Sequence, residues 1–126
     1  MEPKKILIID DSSSIRQQVS AVLGDAGFSM LEAADGVEGA ERIHGCPELS
    51  LVICDVNMPR LGGLEMLDSV KDELKRRSLP VVMLTTEANA DAIAQAKRAG
   101  AKGWLVKPFK EQLLVAVAKK LTLSGP

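Results

Sequence analysis

The stretch Lys5-Ile6-Leu7-Ile8-Ile9-Asp10 (KILIID) is a short, unbroken apolar run that ends in a carboxylate, with a second at Asp11. Such a run reads as a β-strand buried on both faces. Directly after it, Ser12 to Ala26 places Ile15, Val19, Val22, Leu23 and Ala26 on one helical face. Ser12 or Ser13 is available as its cap and Gly27 as its stop. A buried strand feeding an amphipathic helix is half of a parallel crossover unit, and the rest of the chain repeats the alternation.

Ser29 to Ala33 is a second strand and Val37 to Ile43 a short helix; Leu49 to Cys54 (LSLVIC) is a third strand running into Asp55. The turn-rich loop Asn57-Met58-Pro59-Arg60-Leu61-Gly62-Gly63 leads to a helix carrying Leu64, Leu67, Val70 and Leu74. Pro80 to Leu84 is the fourth strand, closed by Thr85-Thr86, and Asn89 to Arg98 an alanine-rich helix stopped by Gly100. Gly103 to Val106 is a short fifth strand, broken by Lys107-Pro108, and Gln112 to Leu121 is the last helix. Five strands separated by helices predict an α/β fold: an open, doubly wound parallel sheet covered on both faces. In such sheets ligands bind beyond the carboxyl ends of the strands.

The chain has 126 residues, which predicts one domain over 1–126 with no attached effector. Its 16 basic and 17 acidic residues leave no polybasic arm or acidic tail, so neither nucleic acid nor a membrane is an expected partner. Aromatics at 2% exclude a base-stacking platform and require an aliphatic core. The start, Met1-Glu2-Pro3-Lys4-Lys5, lacks the features of a secretory signal. Cys46 and Cys54 fit neither a disulfide framework nor a zinc pattern, and a free thiol suits the cytoplasm. Cys54 reads as a small core residue, and His44, in a loop near Gly45 and Pro47, is assigned no role.

The strand ends carry the chemistry. Asp10 and Asp11 come after strand one, Asp55 after strand three, Thr85 and Thr86 after strand four, and Lys107 after strand five. A parallel sheet brings these ends side by side. Clustered carboxylates raise each other's pKa unless a cation is present. An oxygen-only set without His or thiolate suits a hard divalent ion, magnesium before calcium, because few protein oxygens are offered. A metal beside a free carboxylate, with a hydroxyl and a lysine facing it, is equipment for phosphoryl transfer to that carboxylate. Asp55 is the better nucleophile candidate, since its strand is central and the Asn57 loop can bring a main-chain oxygen to the metal.

Four motifs then resemble the receiver domain of two-component response regulators, most closely the stand-alone, chemotaxis-type, CheY-like members. They are Ile8-Ile9-Asp10-Asp11-Ser12, Cys54-Asp55-Val56-Asn57-Met58-Pro59-Arg60-Leu61-Gly62-Gly63, Val82-Met83-Leu84-Thr85 and Val106-Lys107-Pro108-Phe109. The spacings of 44 residues from Asp11 to Asp55, 30 on to Thr85 and 22 on to Lys107 match that family, and the resemblance runs from Lys4 to about Leu123. It implies a flavodoxin-like (CheY-like) three-layer α/β/α fold with strand order 2-1-3-4-5. It also implies phosphorylation of Asp55 by a sensor histidine kinase, in a monomer that is not a turnover enzyme. By the resemblance Mg2+ is bound by Asp11, Asp55 and the Asn57 carbonyl, with Asp10 assisting through water. Thr85 and Lys107 then engage the phosphoryl group, Lys107 through a cis peptide to Pro108.

The family couples this to an aromatic on strand five, here Trp104, that turns inward. Trp104 departs from the more usual Tyr or Phe. Asn57 and Glu87 occupy positions that set the lifetime of the phosphoryl group, and their pairing looks like that of fast-turnover chemotaxis regulators. The expected output is a downstream target protein, such as the motility machinery, read through Ile93, Trp104 and Val106; Ile93 is equally a candidate core residue. One alternative is a phosphate sink that drains a kinase without a target. Another is an aspartate-dependent phosphatase, but that class separates its two aspartates by a residue, and here Asp10 and Asp11 are adjacent.

Overall fold

The computed structural model describes residues 3–86 and 90–123. Its strands are β1 (Lys5–Ile9), β2 (Ser29–Ala33), β3 (Leu49–Asp55), β4 (Val81–Thr85) and β5 (Gly103–Val106). They form one parallel sheet in the order β2-β1-β3-β4-β5. The helices are α1 (Ser13–Asp25), α2 (Gly36–Gly45), α3 (Gly63–Ser69), α4 (Lys71–Arg77), α5 (Ala90–Arg98) and α6 (Glu111–Leu123). The expected doubly wound α/β/α arrangement is what these elements build.

Because strand side chains alternate, each strand feeds two cores. Leu7, Ile9, Val52, Cys54, Val81 and Met83 pack with Ile43 of α2, Met66 and Leu67 of α3, Leu74 of α4 and Ala96 of α5. Ile6, Ile8, Leu51, Ile53, Val82 and Leu84 face Val19 and Leu23 of α1 and Leu114 and Ala118 of α6. Burial of both faces of β1, β3 and β4 explains why their apolar runs do not alternate with polar residues.

Ser12 is the α1 cap, its hydroxyl accepting the Ile15 N–H at 3.3 Å, and Gly27 beyond the helix end adopts a left-handed φ of 102°. One element differs from the expectation. The helix expected to carry Leu64 through Leu74 is two segments that bend at Val70 (φ −114°, ψ 11°). The Ser69 hydroxyl donates back to the Met66 carbonyl at 2.7 Å, a local bond that competes with regular helix geometry. The Val70 N–H still reaches Met66 O and the Leu74 N–H still reaches Val70 O, so the chain bends while both apolar residues stay buried.

Asp55 and Thr85 are the last residues of β3 and β4, one position further than the apolar runs indicated, while Asp10 and Lys107 directly follow β1 and β5. The ladder continues through the Asp10 N–H to Ala33 O at 3.1 Å and the Lys107 N–H to Thr85 O at 2.7 Å. Thus the backbones of both residues are held in register with the sheet.

Candidate functional site

Carboxylate oxygens of Asp10, Asp11 and Asp55 lie within 4.8 Å of one another, so the strand ends do converge. Asp10 is fully enclosed, Asp55 is buried and Asp11 is exposed at the rim. Asp10 Oδ1 accepts the Ser12 N–H at 2.9 Å and Oδ2 the Lys107 ammonium at 2.8 Å. Lys107 Nζ also lies 3.4 Å from Asp55 Oδ1, which accepts the Val56 N–H at 2.9 Å.

Burial, and then the neighbouring charge of Asp10, push the Asp55 pKa from 3.8 up to about 6, against the opposing pull of Lys107. Burial acts to lower the Lys107 pKa, but its bonds to Asp10 and Asp55 outweigh that and raise it. One ammonium therefore compensates a cluster of three carboxylates incompletely. The deficit, with an all-oxygen ligand set, fits a hard divalent cation.

The loop after Asp55 is fastened from two directions. Gly63 places its backbone so close to the Asp55 carbonyl that a Cβ there would lie 2.1 Å from the oxygen, and its N–H donates to Val56 O at 2.8 Å. On the other side Arg60, at a left-handed φ of 64°, donates from Nε and Nη2 to the two Asp35 oxygens at 2.7 and 3.1 Å. Asp35 also caps α2 through the Glu38 N–H, and the Gly36 N–H bonds Leu61 O at 3.0 Å. Asn57 lies exposed on this tethered loop.

Sequence reasoning did not single out Asp35, Arg60 or Arg16. Asp35 with Glu38 three residues on is a helix-cap signal, but its bond to Arg60 has no local signature. Arg16 donates to the Asp10 carbonyl at 2.6 Å and to Glu32 at 3.1 Å, bracing the turn that carries Asp11.

Thr85 is buried at the end of β4, and the Lys107–Pro108 peptide is cis. Trp104 is half-buried against the α2–α5 core; its indole N–H is inaccessible to solvent and has no acceptor among the described residues. Val106 is 44% exposed on the edge strand and Ile93 is partly exposed on α5. Glu87 lies outside the described residues, as does Asn89, the expected start of α5. Cys54 is core, its thiol pKa driven up by burial, and Cys46 bonds Glu48. His44 pairs with Glu73, which also takes Arg77 at 2.7 Å, well away from the acidic cluster in sequence and on other elements. Among the described residues no helix is long and apolar enough to cross a membrane.

The family model for the response regulator receiver domain matches residues 6–119. The chain is 37% identical over 118 residues to the chemotaxis protein CheY of Pseudomonas aeruginosa, covering 93% of this chain and 94% of that protein. It is 34% identical over 111 residues to chemotaxis protein CheY1 of Helicobacter pylori, covering 87% and 90%. The crystal structure of CheY4 of Vibrio cholerae superposes with a TM-score of 0.87 at 39% identity, over 94% of this chain and 98% of that one. With strand order, acidic cluster and these matches in agreement, the chain belongs to the response regulator receiver domain family, as a CheY-like signalling protein and not a turnover enzyme.

Proposed function

We propose that this chain is a phosphorylation switch in which Asp55 accepts a phosphoryl group from the phosphohistidine of a sensor histidine kinase. The observation that carries this reading is the convergence of Asp10, Asp11 and Asp55 with the Lys107 ammonium at one end of the sheet. Among the described residues only Oδ1 of Asp55 is hydrogen-bonded, which leaves Oδ2 to form the new P–O bond as the P–N bond to the kinase histidine breaks. Asp11, Asp55 and the Asn57 carbonyl would hold Mg2+, with Asp10 assisting through water, and the ion would supply positive charge against the phosphoryl oxygens. Lys107 offsets the same charge from the β5 side, and the Thr85 hydroxyl donates to the phosphoryl group once formed.

Closure of Thr85 onto the phosphoryl group draws the end of β4 inward, and Trp104, paired across the sheet with Met83, moves with it. A target protein then reads Ile93, Trp104 and Val106 on the α5–β5 face through its differential affinity for the two states. Relatives named for chemotaxis support a motility target in the cytoplasm. Their near end-to-end coverage supports one receiver domain over 1–126 that acts through a separate protein.

The test is labelling by acetyl phosphate. Mg2+-dependent labelling is expected for the wild type and none for Asp55→Asn, whose amide cannot attack. Labelling of that variant at a similar rate would overturn the acceptor assignment. Binding of a motility protein only in the presence of a phosphate mimic separates a switch from a phosphate sink.

A further inference from the structure

At the opposite end of the sheet from Asp55, the turns that enter β4 and β5 enclose a cleft of about 550 Å3 between α4 and α5. Lys71, Lys75, Arg98 and Lys102 surround it, with Asp72 the only carboxylate in its lining, and Leu74 and Leu79 form an apolar floor. A volume of this size is typical of small-molecule sites.

Helix dipoles account for only part of this charge. Lys75 and Arg98 lie in the last turns of α4 and α5, where cations are favoured. Lys71 opens α4, where the dipole disfavours a cation, and Lys102 precedes β5 outside any helix. Lys71 has a loose, exposed contact with Asp68 at 3.5 Å; Lys75, Arg98 and Lys102 have no ion pair among the described residues. Converging cations with few internal partners leave their charge available to a ligand.

The shape selects among anions. The cleft continues between α3 and α5 into a second hollow that shares Lys71 and Arg98 but is lined by Glu65 and Asp68. Those carboxylates oppose an extended acidic chain laid along the groove, while a compact anion confined to the basic end avoids them. We propose that this cleft binds a small polyanion carrying two or more phosphate groups, whose oxygens bridge Arg98 and the flanking lysines.

Inorganic tripolyphosphate is the probe, titrated into the metal-free, isotope-labelled protein at about 0.15 M salt so that surface attraction is screened. A saturable, one-site response centred on Ser78, Gly100 and Lys102 is expected, with Asp10 and Asp55 unmoved. Arg98→Glu with Lys102→Glu should weaken binding about tenfold or more, whereas Lys119→Glu with Lys120→Glu on α6 should leave it unchanged. All four side chains are exposed, and equal urea midpoints verify that the variants fold. A response that never saturates, or that falls equally in the α6 variant, would overturn the site. Hexaglutamate binding as tightly in the same cleft would overturn the choice of a compact phosphate ligand.

Discussion

Lys107 Nζ lies 2.8 Å from Asp10 Oδ2 and 3.4 Å from Asp55 Oδ1, so the lysine serves the fully enclosed carboxylate first. Removing it leaves Asp10 with the Ser12 N–H but no counter-charge, beside a second buried carboxylate. Lys107→Ala in metal-free buffer is therefore expected to lose about 2–3 kcal/mol of stability in urea unfolding. Mg2+ should restore part of that loss by binding the folded state. A variant as stable as the wild type without metal would show that the pair contributes nothing net.

The raised Asp55 pKa gives a signed pH dependence. The folded carboxyl titrates near 6 against 3.8 unfolded, so its favourable term is complete below 3.8 and is lost as pH rises through 6. Asp55→Asn removes the charge that the fold tolerates poorly. Without metal it should exceed the wild type by about 1–2 kcal/mol at pH 8, after allowance for screening at the open side of the site. The gap should close as pH falls below 6; urea midpoints across this range provide the measurement.

Gly63 is the position where the site tolerates no side chain. A Cβ would stand 2.1 Å from the Asp55 carbonyl oxygen, a backbone atom that cannot rotate away. Gly63→Ala should cost about 2–3 kcal/mol and displace the Asp55 loop, weakening Mg2+ binding along with stability. An unchanged Mg2+ titration would show that the loop absorbs the methyl group without moving Asp55.

Trp104 is the sole tryptophan, so its emission reports on one place. Its enclosed N–H has no acceptor among the described residues, and a buried donor left unpaired is costly. A rearrangement that supplies an acceptor is correspondingly favoured. Emission should change when beryllofluoride and Mg2+ are added together and should stay constant for Asp55→Asn. Constant wild-type emission at saturating mimic would remove Trp104 from the switch.

The apolar runs and the residues that end them were enough to read five strands, most plainly β1, β3 and β4, which are buried on both faces. The convergence of Asp10, Asp11, Asp55 and Lys107 was equally legible, since a parallel sheet sets the carboxyl ends of its strands along one edge. The bend at Val70 was not: the helical period of Leu64, Leu67, Val70 and Leu74 passes through it unbroken, and the bond from the Ser69 hydroxyl to Met66 O that accompanies it leaves no mark in that period. Nor was the Asp35–Arg60 bond, whose partners are 25 residues apart with no pattern linking them. Period reports which face is buried, whereas side-chain pairing across elements depends on backbone positions that period leaves open.

The contact between Lys107 and Asp10 spans 97 residues and crosses from β5 to β1 over the two strands between them. Closing a loop of that length costs more chain entropy than making a local contact. A growing chain that has laid down β1 to β4 holds all three aspartates of the cluster and lacks the ammonium that offsets part of their charge. Their mutual repulsion then opposes closure of the site, and arrival of β5 with Lys107 relieves part of it. The acidic cluster therefore ties chemical competence to completion of the chain: its internal counter-charge is in reach only when the last strand is in place, and the remainder is left for a cation.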